Sequence, residues 1–452
     1  MMGDMIKNGV HASSREEKYI WPADPLIRER LEWFQDQKLA LFIHWGPCSQ
    51  IGIDSSWALS DGDAHWSRKG MDWEPDPTAF RKQYHDMAKC FNPIRTNPDK
   101  WADFALENGF KYLLFTTKHH DGFCLFDTKY TDYKITGEDC PFHTHKYANI
   151  TKATFDAFRK RGIAIAAYFS KPDWHCPYFW TEGMENPVAF NRYPTYSPAE
   201  HPELWEKFIE FTHGQIMELM EDYGRIDILW LDGGWVKPSR GTGIRMSELI
   251  TKARKIQPWL ISADRTVSDE NENYITPEQC IPDHIIKVPW ESCITVGTQW
   301  AYKYSDTYKS SRTLVHMLID TVSKGGNLVL DIGPQPNGEL PLEAVTVVQG
   351  MGAWLKVNGD AIYGTRATDE YESEKVRFTK KGDSIYALVP LEEGEALSDT
   401  LLLPIKQAVH DVTYLGDGEK VPFKSTADGL ELALPNPICG ADTLAAVFKI
   451  DL

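Results

Sequence analysis

The sequence predicts an α/β protein: a (β/α)8-like (TIM) barrel followed by a small C-terminal antiparallel β-sandwich. Three observations favour this fold. Over the first 357 residues, helical patterns alternate with short, almost wholly apolar runs, as in a parallel sheet buried on both faces. Polar residues gather at the C-terminal ends of several runs, where a barrel places its active site. Beyond residue 358, short strands at about ten-residue spacing are typical of a sandwich.

Each predicted barrel strand is an apolar run with a helical pattern before it. The predicted barrel strands are 39–45, 109–117, 163–169, 226–232, 259–263 and 327–331. The predicted helices are 25–37, 98–108, 151–160, 202–223, 246–256, 313–323 and 342–357. The predicted sandwich strands are 376–378, 384–389, 400–403, 412–415, 430–434 and 444–450. No GxGxxG follows the first run, so a dinucleotide-binding sheet lacks its fingerprint. We expect a catalytic barrel domain over 1–357 and a sandwich domain over 358–452.

Composition excludes some classes of protein. The 452 residues include 48 Lys and Arg against 65 Asp and Glu, a formal charge of −17 that works against nucleic-acid binding. No apolar run approaches the roughly 20 residues of a membrane helix, so we expect no membrane partner. The N-terminus has no signal-peptide pattern, and the eight cysteines include no CxxC pair. We therefore expect a cytoplasmic, reducing location, unless a leader has been removed from the chain.

Asp232 is the strongest candidate for chemistry. It ends the run IDILWLD and precedes Gly233-Gly234, so its carboxylate is expected to be held rigidly at the barrel mouth. Because Asp is also a common turn residue, it could instead cap the following loop. Arg265, at the end of SADR, could orient a substrate hydroxyl or pair with Asp232, and the pair would keep the carboxylate ionised, as a nucleophile requires.

Three histidines lie at the ends of two predicted strands. His119 and His120 follow one run in TTKHHDGF, and His44 lies near the end of the first run. Imidazoles in these places can hydrogen-bond to sugar hydroxyls or bind a metal ion. One of the adjacent pair could instead be a polar member of the barrel interior while the other is solvated. Three histidines at two strand ends favour a functional cluster.

Aromatic residues make up 12% of the chain, which suits the stacking of rings on sugars but also core packing and a homo-oligomeric interface. Trp230 is the best aromatic candidate, because it lies two residues before Asp232 and shares its face of the strand. Tyr168 and Trp57 are further candidates. Each of the three, taken alone, is more often a core residue than the wall of a ligand site.

A glycosidase needs a second carboxyl group. The region after Arg265 offers Asp269, Glu270, Glu272, Glu278 and Glu291. The first three belong to the polar stretch SDENEN, which is typical of a solvated loop. Glu278 in YITPEQ and Glu291 in VPWESC remain as alternatives, and Glu291 follows an apolar stretch that could end a strand.

Eight segments carry a family resemblance. They are FIHWGPCSQIG, KYLLFTTKHHDGFCLFDTKYTDY, AYFSKPDW, DILWLDGG, the DR of SADR, TPEQ, the WE of VPWESC and VSKGGNLVLDIGPQPNGELP. Together, over residues 24–365 and in family order, they resemble the α-L-fucosidases of glycoside hydrolase family 29. The tail is similar to the C-terminal β-sandwich of that family.

The resemblance implies a retaining exo-α-L-fucosidase that hydrolyses terminal α-L-fucosyl linkages of oligosaccharides or glycoconjugates, with no cofactor and no metal. Matched by motif, Asp232 would be the nucleophile and Glu278 the acid/base, with Glu291 as the second candidate. The residues implied to contact the fucose are His44, Trp57, His119, His120, Tyr168, Trp230 and Arg265. Two positions depart from the family pattern. Ser56 stands before Trp57 where many members have Glu, and Thr266 follows Arg265 where Trp is frequent.

Two other functions compete with this interpretation. A metal-dependent barrel hydrolase could use His143-x-His145, His119-His120 and Asp232 as ligands, although the HxH follows Cys140-Pro141 in a loop rather than ending the first strand. A non-catalytic fucose-binding protein would keep the pocket without the chemistry, and Ser56 is consistent with it.

Overall fold

A parallel sheet forms the wall of the barrel. The computed structural model describes residues 16–68, 74–184, 190–434, 436–441 and 443–452. Its barrel strands are β1 (Leu39–Ile43), β2 (Tyr112–Lys118), β3 (Ala164–Ser170), β4 (Ile228–Asp232), β5 (Ile261–Asp264), β6 (Glu291–Thr295) and β7 (Asn327–Ile332). They pair in the order β5-β4-β3-β2-β1-β7-β6, every pair being parallel. This is the circular order of a barrel opened between β5 and β6, so the predicted fold class is confirmed.

An irregular segment fills the opening between β5 and β6. We call residues 271–279 the closing segment. Towards β5, Asn273 N donates to Ser262 O at 2.9 Å, and towards β6, Gln279 N donates to Cys293 O at 2.9 Å. The closing segment therefore takes the place of an eighth strand and brings Glu278 beside Cys293 on β6.

Side chains of the strands alternate between two apolar cores, as the two-residue period of a strand requires. On β4, Ile228 and Trp230 point into the barrel, whereas Leu229 and Leu231 pack outwards against the helices.

β6 was not predicted, because its sequence ESCIT is mostly polar. All five of its residues are nevertheless buried, because their polar groups find partners: Glu291 accepts hydrogen bonds inside the barrel, and Ser292 Oγ donates to Cys280 O.

Helices cover the outside of the barrel. They are α1 (Pro25–Gln37), α2 (Pro77–Asp86), α3 (Pro98–Glu107), α4 (Ile150–Lys160), α5 (Pro202–Asp222), α6 (Met246–Ile256), α7 (Ser311–Ser323) and α8 (Leu342–Asn358). The sequence marks their starts clearly, for example where the side chain of Asp24 accepts a hydrogen bond from Leu26 N and Pro25 opens α1. α2 was not predicted. Among the described helices, none combines the length and apolarity that crossing a bilayer requires.

The C-terminal part is a sandwich of two antiparallel sheets around its own apolar core. Its strands are β8 (Arg366–Ser373), β9 (Val376–Lys381), β10 (Ser384–Pro390), β11 (Thr400–Leu403), β12 (Asp411–Tyr414), β13 (Phe423–Ser425), β14 (Leu430–Ala433) and β15 (Ala445–Asp451). β8 and β13 were not predicted, because one is rich in charged residues and the other has three residues. The predicted sandwich is confirmed, whereas the domain division after residue 357 stays a prediction.

Arg312 on α7 fastens the sandwich to the barrel. Its guanidinium donates to the carbonyl oxygen of Leu391 and, at 2.6 Å, to that of Gly440. Nearby, Trp354 Nε1 on α8 donates to Ala445 O at 2.9 Å. Side chains of the barrel helices thus satisfy main-chain carbonyls of the sandwich, beside an apolar contact that includes Leu388 and Val447.

Arg312→Ala is expected to lower the free energy of unfolding by about 2 kcal/mol, because two carbonyls lose a charged donor. Differential scanning calorimetry measures the effect as a lower melting temperature or as a separate transition of the sandwich. Arg95→Ala is the control, since it removes an exposed arginine paired with exposed Glu339 and should leave the transition unchanged. Equal shifts in the two variants would contradict the role given to Arg312.

Candidate active site

The predicted site residues converge at the C-terminal ends of the barrel strands. Asp232 is the last residue of β4, and Arg265 directly follows β5. Glu278 comes from the closing segment on the far side of Arg265. Because Trp230 and Asp232 share one face of β4, the tryptophan lies one layer below the carboxylate. The barrel fold therefore assembles the site from residues distant in sequence.

Asp232 is held at both of its oxygens. Arg265 Nη1 donates to Oδ1 at 2.8 Å, and Tyr168 OH donates to Oδ2 at 2.8 Å. His120 Nε2 lies 3.6 Å from Oδ2. Burial alone would raise the pKa of Asp232, but the charge of Arg265, supported by the hydrogen bond from Tyr168, holds it well below its usual range. The side chain keeps 19% of its surface exposed, so an ionised carboxylate faces the mouth.

Arg265 joins the two candidate carboxylates. While Nη1 binds Asp232, Nη2 donates to Glu278 Oε2 at 2.7 Å, and Nε donates to Thr276 Oγ1 at 2.9 Å. The guanidinium also lies over the Trp230 ring, 4.2 Å from its centroid. A single planar fork thus fixes both carboxylates, an arrangement compatible with the separation of about 5–5.5 Å in retaining glycosidases.

Glu291 occupies a different environment from Glu278. It is the first residue of β6, at the end of the strand opposite the mouth, and 1% of its surface is exposed. Its carboxylate accepts hydrogen bonds from Trp230 Nε1 at 2.7 Å, Tyr112 OH at 2.6 Å and Tyr274 OH at 2.9 Å. Burial raises its pKa, although these three donors oppose the shift. By contrast, 20% of the Glu278 side chain is exposed.

The three histidines form one cluster beside Asp232. The ring centroid of His119 lies 4.7 Å from that of His44 and 4.2 Å from that of His120. All three are nearly or fully buried, and burial is the main cause that lowers their pKa values. The cluster is therefore neutral at physiological pH, with lone pairs and N–H groups for hydrogen bonding rather than positive charge.

Aromatic rings surround this polar cluster, and Tyr168 and Trp230 are buried, each with 1% of its surface exposed. Tyr168 stacks on Trp230 with ring centroids 5.1 Å apart. Trp57 lies near the rim, half-buried, with its ring edge-on to His120 at 5.3 Å. Sequence reasoning missed Trp235 and Trp300, whose rings approach His120 at 5.0 Å and His44 at 6.1 Å. Both follow strand ends without a periodic pattern, and the Gly-Gly-Trp sequence after Asp232 was the available signal for Trp235.

Comparison with known proteins now identifies the family. Residues 7–360 match the family model described as Alpha-L-fucosidase. The chain belongs to the alpha-L-fucosidase family. The family resemblance and the enzyme class predicted from the sequence are thereby confirmed.

Individual relatives agree along nearly the whole chain. An alpha-L-fucosidase of Branchiostoma floridae is 28% identical over 431 residues, which cover 92% of this chain and 91% of the relative. Alpha-L-fucosidase isoenzyme 1 from Paenibacillus thiaminolyticus superimposes with a TM-score of 0.77 at 29% identity, covering 94% and 99% of the two chains. A Thermotoga maritima alpha-fucosidase in complex with fucose gives a TM-score of 0.73 at 26% identity, covering 95% and 100%.

The candidate metal ligands of the competing hydrolase do not all meet. His119, His120 and Asp232 bring one ligand atom each to within 4.8 Å of one another. Arg265 and Tyr168 already bind the two oxygens of Asp232, and the fixed positive charge of Arg265 opposes a cation there. His143 and His145 instead belong to a loop turn, where His143 Nδ1 lies 2.8 Å from Cys140 O.

Arg265→Gln tests the electrostatics of this family's site in the present chain. Without the guanidinium, the pKa of Asp232 should rise, so the carboxylate would be protonated at a higher pH. We expect the acid limb of the pH profile of kcat/KM for an aryl α-L-fucoside to move upward by about one to three pH units. Arg240→Gln, which changes an exposed arginine, is the control. An acid limb at the wild-type position in Arg265→Gln would contradict the account.

Proposed function

We propose that this chain is a retaining exo-α-L-fucosidase in which Asp232 is the nucleophile and Glu278 the acid/base. The observation that carries the assignment is the Arg265 fork, which binds an ionised carboxylate on one side and a partly exposed carboxyl group of the mouth on the other. Fucosylated oligosaccharides or glycoconjugates are the proposed substrates.

The first step forms the glycosyl-enzyme ester. An oxygen of Asp232 attacks the anomeric carbon as the bond to the leaving oxygen breaks, and Glu278 gives its proton to that oxygen. In the second step Glu278 removes a proton from water, the water oxygen attacks the anomeric carbon, and Asp232 leaves as carboxylate. Two inversions return the original configuration.

Arg265 couples the proton state of Glu278 to the state of Asp232. While Asp232 is an anion, it already balances the guanidinium charge, so Glu278 can carry a proton. Once Asp232 is esterified its charge is lost, and the guanidinium then favours the anion of Glu278, which is the form needed as a base. One residue thus supports both halves of the double displacement.

The remaining mouth residues are proposed to bind the sugar. Neutral His44, His119 and His120 suit hydrogen bonds to hydroxyl groups, and the half-buried ring of Trp57 suits the apolar face of a deoxy sugar. Trp230 is instead proposed to act from below, because Arg265 and Tyr168 already cover its ring. Below Asp232 the barrel is filled by packed side chains such as Phe42 and Trp230. A sugar can therefore reach Asp232 from the mouth but cannot pass through the barrel.

The eight cysteines are free thiols, which supports the proposal of a reducing, cytoplasmic location. The excess of acidic residues supports the proposal that nucleic acid is not a partner. A homo-oligomer stays a prediction.

Asp232→Asn is expected to lower kcat by about 10³-fold or more, because no nucleophile remains to form the ester. Asp227→Asn is a matched control at the other end of the same run. Asp227 is buried and paired with Arg30 at 2.9 Å, so its change should reduce stability and leave kcat/KM for a p-nitrophenyl α-L-fucoside near the wild-type value. Turnover by Asp232→Asn at the wild-type rate would exclude the nucleophile assignment.

Glu278→Ala should slow substrates with poor leaving groups far more than activated aryl fucosides, because activated groups depart without a proton. Added azide should restore turnover of the activated substrate and yield α-fucosyl azide, detected by NMR. Glu291→Gln should instead lower the melting temperature and slow both substrate types equally. The reverse pattern would transfer the acid/base role to Glu291.

A further inference from the structure

Two consecutive serines, Ser55 and Ser56, lie against the histidine cluster. Ser55 Oγ is 2.7 Å from Nε2 of His44, and Ser56 Oγ is 2.5 Å from Nδ1 of His119. At most 1% of either serine is exposed. Neighbouring side chains in the sequence thus bind two different imidazoles whose rings touch each other.

The backbone at Ser55 is strained to allow this. Its φ of 56° lies in the left-handed region that residues other than glycine rarely adopt. Tyr84 OH fixes the turn, because it lies within hydrogen-bonding distance of both Ser55 O, at 3.2 Å, and Asp121 Oδ2, at 2.9 Å. Strain of this kind persists where the surroundings over-determine it and is concentrated at functional sites.

Each hydroxyl uses one ring nitrogen and leaves the other. His44 Nδ1 is buried without a hydrogen-bond partner among the described residues. A neutral imidazole has one N–H and one lone pair, so a partner at one nitrogen decides what the other nitrogen offers. A carboxylate at position 56 would favour a second proton on the His119 ring, because its negative charge stabilises the imidazolium. A serine hydroxyl is uncharged, so it can orient the ring without this effect.

We propose that Ser55 and Ser56 are positioning residues that fix the tautomer and orientation of His44 and His119, so that each presents its second nitrogen to a hydroxyl of the sugar. The inference rests on the proposed function. It also gives a role to Ser56, where the chain departs from the Glu-Trp sequence of many family members.

Ser55→Ala and Ser56→Ala test the proposal, with Ser49→Ala as the matched control. Ser49 is also fully buried, but its hydroxyl donates to Gly46 O at 2.8 Å and contacts no histidine of the cluster by hydrogen bond. Each test variant should raise KM for an aryl α-L-fucoside about tenfold and change kcat by less than about threefold. Ser49→Ala should keep both constants.

Imidazole ¹⁵N chemical shifts, measured on protein labelled at histidine, give a readout independent of turnover. Ser56→Ala should change the two nitrogen shifts of His119 and leave those of His44, and Ser55→Ala should do the reverse. Unchanged shifts in both variants, or an equal rise of KM in Ser49→Ala, would overturn the proposal. Wild-type protein that cleaves no α-L-fucoside would instead refute the proposed function, and the shifts would still report on the serine–imidazole pairs.

Discussion

The shared guanidinium of Arg265 is the constraint on which the site depends. Burying a cation is costly unless its partners replace the lost water. The guanidinium of Arg265 is surrounded by two carboxylates, Thr276 and the face of Trp230. Only 5% of the Arg265 side chain remains exposed. The three charges sum to −1 when both carboxyl groups are ionised, so a proton on Glu278 leaves a balanced pair of Arg265 and Asp232.

The barrel interior beneath this group is built to keep it in place. Glu291 receives the indole N–H of Trp230 and two tyrosine hydroxyls, so a buried carboxylate is satisfied by neutral donors. The fixed indole then supports Arg265 from below. Glu291 thus orients the tryptophan that lies under the guanidinium of Arg265.

Much of the fold follows from local sequence. Strands such as β4 and helices such as α6 have strong periodicity and marked ends, and the strand-end positions of His44 and Asp232 followed from them. β6 could not be recognised, because its polar residues are buried by a polar layer that forms only when the barrel closes. The position of Glu278 depends on the closing segment, whose pairing with β5 and β6 is long-range. The hydrogen bonds of Ser55 and Ser56 to two histidines could not be predicted. They depend on a left-handed backbone conformation at Ser55, which a serine in the sequence does not indicate.

We propose that the carboxylate of Asp232, held by Arg265, becomes covalently bonded to the sugar. The most direct measurement is peptide mapping by mass spectrometry after incubation of the Glu278→Gln variant with 2-deoxy-2-fluoro-α-L-fucosyl fluoride. We expect one fluorofucosyl adduct, carried by the side chain of Asp232. An adduct on another residue, or a reagent consumed with no adduct on the protein, would contradict it.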